Sequence, residues 1–152
     1  MSLSAHAEDC GRDAFAAVVG NANIQLSTLN ETNKKSFQEK LQQLKVRNGW
    51  SDADYVTKAT PYVQDERIAA FDSDNKALLD RIPQLGGGIQ STQALAGVAP
   101  LPGNVSDPHC AMLNELRGLM AKVVENTQAK WRYMAGKLED ALDNARRAQA
   151  AR

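Results

Sequence analysis

Histidine and cysteine are scarce in this chain, with two of each in 152 residues, and that scarcity removes most enzyme classes at the outset. A serine triad needs a histidine oriented by a carboxylate, and His109, at a helix start, is the sole candidate base. No Gly-rich phosphate loop and no Cys-x-x-Cys-His haem-attachment motif occurs. A non-enzymatic protein without a cofactor is therefore expected, with no catalytic or metal-ligating residues assigned. Net charge is lacking too, since 18 basic residues stand against 18 acidic ones. Without a basic footprint, neither nucleic acid nor an anionic membrane is the expected partner. No apolar run reaches the roughly 18 residues a bilayer span needs, and only 5% of residues are aromatic.

What the chain does have is helical periodicity. Steps of three and four link Phe15, Val19, Ala22, Leu26, Leu29, Phe37, Leu41 and Leu44 if Asn33 fills the gap, predicting one helix over about 10–47. Asn48-Gly49 supplies a left-handed stop, and Ser51 with Asp52 and Asp54 supplies the next N-cap and first-turn acids, so a tight hairpin is expected at Trp50. A second helix is predicted over 52–85, with seam residues Tyr55, Ala59, Tyr62, Ala69, Leu78, Ile82 and Leu85 and a kink or short break at Thr60-Pro61. Pro83 and Gly86-Gly87-Gly88 are expected to end it. The third helix, over 108–148, opens with Asp107 as N-cap and Pro108 at N1. Its stripe of Leu113, Leu116, Met120, Val123, Thr127, Trp131, Met134, Leu138, Ala141, Ala145 and Ala148 is the most regular in the chain.

The fold class read from these patterns is all-α. Three long antiparallel helices form an up-down-up bundle with coiled-coil-like packing, and a long loop over 86–107 joins helices two and three. Residues 9–152 make one domain, large enough to bury roughly 68–70% of its unfolded surface. Residues 1–8 are read as disordered or as the remnant of an export signal, with Met1-Ser2-Leu3 appended and a small-x-small pattern at Ala5 and Ala7.

Cys10 and Cys110 fall in the first turns of neighbouring helices in that topology, which points to a disulfide and a periplasmic or secreted protein. A bridge closing a loop of about 100 residues is worth about 4.7 kcal/mol in the chain-entropy model. Zinc held by His6, Cys10, His109 and Cys110 is the weaker alternative, because the spacing matches no finger pattern. Paired carboxylates read as surface features: Glu31, Asp72 and Asp143 each have a base four residues on. Asp72-Ser73-Asp74-Asn75 begins like a calcium loop but lacks the turn glycine.

Two features stand out from an ordinary surface. From Ile82 to Ser106 there is no charged side chain, while Ile89, Leu95, Val98, Leu101 and Val105 recur among Gly, Ala, Pro and Gln. The start of helix three is apolar across more than one seam, at Met112, Leu113, Leu116, Leu119, Met120, Val123 and Val124. Ile89, Leu95, Val98, Leu101, Val105, Met112 and Leu119 are therefore the candidate partner surface, for a protein partner or a second copy. Counting from the hairpin places Asn33, Tyr62 and Trp131 at similar heights, as a core polar layer that sets register or as a mid-bundle pocket. The functional expectation is a protein that acts by protein–protein interaction or self-assembly. The alternative is a bundle that binds a small molecule or a metal.

Overall fold

The structure is a computed structural model that describes residues 10–96 and 107–152, with the backbone alone for 86–96 and 107–108. The described residues form four helices and no strand: α1 (Arg12–Asn48), α2 (Asp52–Val63), α3 (Glu66–Ala96) and α4 (Asp107–Ala150). Helix α1 is continuous across Asn33, and its buried residues Phe15, Ala22, Phe37, Leu41 and Leu44 lie on the predicted stripe. It ends at Gly49, in the left-handed region at φ 65° and ψ 33°. There the Gly49 N–H donates to the Val46 carbonyl and the Trp50 N–H to the Lys45 carbonyl. Ser51 then caps α2, accepting from the Asp54 N–H at 3.2 Å.

The second leg differs from expectation in three ways. Pro61 lies inside α2, and the break falls after it, at Gln64 and Asp65. Thr57, whose carbonyl Pro61 leaves without a helical donor, is exposed and can be hydrated. Asp65 starts the next helix by accepting the Ile68 N–H at 2.7 Å. The two non-helical residues also shift the helical phase, so the inward line of α3 runs Ile68, Phe71, Asn75, Leu78, Ile82, Leu85, and Ala69 is exposed. Finally, α3 continues through Pro83 and Gly86-Gly87-Gly88 to Ala96. The proline frees the carbonyl of Leu79, itself 44% exposed, and glycine costs only about 1 kcal/mol per helical position. Residues 86–96 and Asp107, expected in a loop, are therefore helical, and residues 97–106 lie outside the described residues.

Helix α4 is the common partner. It runs parallel to α1, as Asn30 with Trp131, Lys40 with Glu139 and Arg47 with Gln149 show. It runs opposite to α3, pairing Asp72 with Lys130, Asn75 with Thr127 and Arg81 with Glu115. The backbones of α1 and α3 scarcely approach one another. Two apolar cores result. One, near the hairpin, centres on Phe37, Leu41, Leu44, Ile68, Leu138 and Leu142. The other, near the chain starts, centres on Cys10, Phe15, Leu85, Leu113, Leu116 and Met120.

Candidate functional site

At the second core Cys10 and Cys110 are joined as a disulfide, with Cα atoms 5.0 Å apart. The parallel run of α1 and α4 brings the two helix starts together, as the topology required. Bonded thiols cannot serve as zinc ligands, and among the described residues no group of three or more His, Cys, Asp or Glu could hold a metal ion. His6 lies outside the described residues.

Of the candidate partner surface, Met112 and Leu119 are half-buried and pack against this same core. Ile89 and Leu95 fall within α3, and Val98, Leu101 and Val105 lie outside the described residues. The register of α3 on α4 carries its uncharged C-terminal part to the disulfide end. Residues 14–30 of α1 are also uncharged, but the pairings of Asn30 with Trp131 and of Asp72 with Lys130 set them level with the charged part of α3. At the disulfide end α3 carries no charge past Arg81, while α1 starts there with Arg12 and Asp13.

The three residues expected in one polar layer take separate partners. Asn33 donates to the Leu29 carbonyl of its own helix at 2.7 Å. Trp131 donates to Asn30 Oδ1 at 2.9 Å and packs edge-on against Phe37, which puts it level with Asn33. Tyr62 sits against Trp50 and beneath Lys137, and Lys137 is six residues, about 9 Å, farther along α4 than Trp131.

Two polar clusters that sequence reasoning missed tie α3 to α4. Between the cores Asn75 Nδ2 donates to Thr127 Oγ1 at 3.2 Å, while Thr127 donates to the Val123 carbonyl at 2.8 Å. Asn75 Oδ1 is buried without a partner. At the α2–α3 break, Asp65 Oδ2 accepts from Tyr133 at 2.5 Å and from Lys137 at 2.7 Å. The Lys137 ammonium, the Tyr133 hydroxyl and the Ile68 N–H hold the Asp65 carboxyl well below the usual carboxylate range. Asp65 in turn raises the Tyr133 hydroxyl. Arg67 lies over the Tyr133 ring at 4.9 Å. The chemistry of this cluster is that of a clamp, with each polar atom engaged in fixing the break. An aspartate after a helix end with Glu66 in the next turn is an N-cap signature that could have marked it.

A groove of 540 Å³ runs between α1 and α4, lined by Ile24, Gln25, Thr28, Thr32, Val124 and Gln128 among others, and none of its lining residues is ionisable. No helix of the described residues is long and apolar enough to cross a membrane. Comparison with protein-family models, with curated proteins and with solved structures finds no match for this chain.

Proposed function

We propose that the chain is an exported, non-catalytic helical module that works by associating with another protein or with itself through its disulfide end. The observation that carries this reading is the uncharged part of α3 beyond Arg81, which runs toward and past the disulfide end and the broad apolar start of α4. An ordinary solvated end would carry charge, and extra apolar width on a bundle helix is covered by a neighbour. Periplasmic or secreted placement is supported by the Cys10–Cys110 bond, since disulfides persist in oxidising compartments.

Leu95→Asp and Leu116→Asp provide the test, read by light scattering and circular dichroism. Leu95→Asp should weaken association while leaving helicity and melting in place. Leu116→Asp, which puts a charge into a position 2% exposed, should unfold the domain. Association unaffected by Leu95→Asp would remove the disulfide end from this role. The rival reading, a small-molecule binder, draws on the uncharged α1–α4 groove, and calorimetry against apolar ligands separates the two.

A further inference from the structure

Helix α1 is fastened to α4 unevenly along its length. From Asn30 onward the two are cross-linked repeatedly: Asn30 accepts from the Trp131 indole, Lys40 pairs with Glu139, and the Arg47 carbonyl accepts from Gln149. Phe37, Leu41 and Leu44 are buried over the same stretch, and Phe37 meets the Trp131 ring. The earlier part of the helix is held differently. Residues 14–29 carry no charge and so form no ion pair, and Asn21, Asn23, Gln25, Ser27 and Thr28 are exposed. Contact there is apolar, with Phe15 and Ala22 buried and Ala14, Val18, Val19 and Leu26 partly so. Gly11 stands at the N-cap and gives no side-chain cap. A 540 Å³ groove at Leu29 and Asn33 lies between this part and the well-packed one. At its far end the covalent tie to α4 is the Cys10–Cys110 bond.

We infer that residues 12–29 are a strap latched by this disulfide, and that reduction releases the strap from α4 while the rest of the bundle stays folded. The inference does not depend on the association reading. A lone helix of this length, interrupted by Gly20 and carrying Val18, Val19, Asn21 and Asn23, is marginal in water. Fixing each of its residues costs conformational entropy, which two buried side chains offset poorly. The remainder keeps its own fastenings, since Asp72–Lys130, Asn75–Thr127 and Arg81–Glu115 hold α3 on α4. Release uncovers Leu85, Leu113, Leu116 and Met120, which share one core with the strap. The reductant is a dithiol. One of its thiolates attacks the sulfur of Cys110, the half-buried partner, because Cys10 is only 2% exposed. The Cys10–Cys110 bond breaks, Cys10 leaves as a thiolate, and a mixed disulfide forms on Cys110. The second thiolate of the reductant then displaces Cys110 and closes the reductant into its own disulfide. Two electrons pass to the protein, and the two protons lost by the dithiol end on the cysteines.

Hydrogen exchange of the full chain, read by mass spectrometry with and without dithiothreitol, provides the test. With the strap open, the bond closes a loop of about 20 residues onto folded α4, so losing it should lower the protection of residues 16–29 on the order of a hundredfold. Residues 37–47 and 130–145 should keep their protection. An apolar dye should gain fluorescence on reduction, as the face of α4 is uncovered. Cys10→Ser with Cys110→Ser should reproduce the reduced pattern in the absence of reductant. Protection over 16–29 that is unchanged on reduction overturns the inference. Loss of protection in every helix also overturns it, because no folded remainder would then carry the strap.

Discussion

Tyr133 of α4 donates its hydroxyl to Asp65 Oδ2 at 2.5 Å, across the point where α2 gives way to α3. The same oxygen takes Lys137, and the other carboxylate oxygen takes the backbone of Ile68. One side chain therefore caps a helix and fastens it to its neighbour. Because its carboxyl is depressed in the folded state, the stabilisation is fully present above the unfolded value near pH 4 and is lost as pH falls toward the folded value. Asp65→Asn should lower the urea midpoint at pH 7, and the gap to the parent chain should narrow below about pH 4. A gap that stays constant down to pH 2 would show that ionisation of Asp65 is not involved.

The raised Tyr133 hydroxyl has the opposite sign. Its contribution is present below the ordinary tyrosine value near pH 10 and fades as pH rises through the higher folded value. In Tyr133→Phe that alkaline loss should be absent from urea melts followed between about pH 8 and 11.

The Cys10–Cys110 bond should contribute about 2–5 kcal/mol. Urea denaturation with and without reductant measures it directly. Thiol titration of the unfolded, unreduced chain should find no free cysteine; two free thiols would contradict the bond.

Asn75 and Thr127 form a buried polar contact in which one carbonyl oxygen is unsatisfied. Thr127→Val removes the hydroxyl that accepts from Asn75 Nδ2 and should cost about 1–2 kcal/mol. Replacing both, as Asn75→Leu with Thr127→Val, should be neutral or stabilising by about 1 kcal/mol, since it removes both polar groups from an apolar setting. A double-mutant cycle from urea melts gives the coupling.

Gly49→Ala isolates the backbone at the hairpin. A Cβ there meets nothing within 4 Å, so the cost is that of the left-handed conformation alone, about 1 kcal/mol in thermal or urea unfolding.

The sequence made some of this plain and concealed the rest for identifiable reasons. Continuous stripes place α1 and α4, and Asn48-Gly49-Trp50-Ser51 places the hairpin, because each signal is local. Ile68, Phe71 and Asn75 are hidden as a seam when the stripe of α2 is carried across Gln64 and Asp65, where two non-helical residues reset the phase. Tyr62 lies before that break, and its height differs for another reason: it is 12 residues past Trp50, whereas Asn33 is 17 residues before it. Pro83 and the three glycines were given too much weight, since their local penalties are small beside tertiary packing of the leg they belong to. The polar clusters at Asp65 and Asn75 depend on which residue of α4 lies opposite, and register between helices has no signature within either one.

The parallel pairing of α1 with α4 also governs how the chain assembles. Its cross-links join residues far apart, 99 positions between Lys40 and Glu139, 101 between Asn30 and Trp131, and 102 between Arg47 and Gln149. Arg81 and Glu115, by contrast, are separated by 34. Closing the longer loop costs more entropy and slows the search, so α3 and α4 can pair first and α1 joins afterwards. When Cys10 and Cys110 stay bonded, residues 10–110 of the unfolded chain form a ring from which α4 extends, the starts of α1 and α4 already lie side by side, and α1 can zip along α4 from that point without a search. Refolding of the oxidised chain should accordingly outpace that of the reduced chain, with the difference confined to the docking of α1.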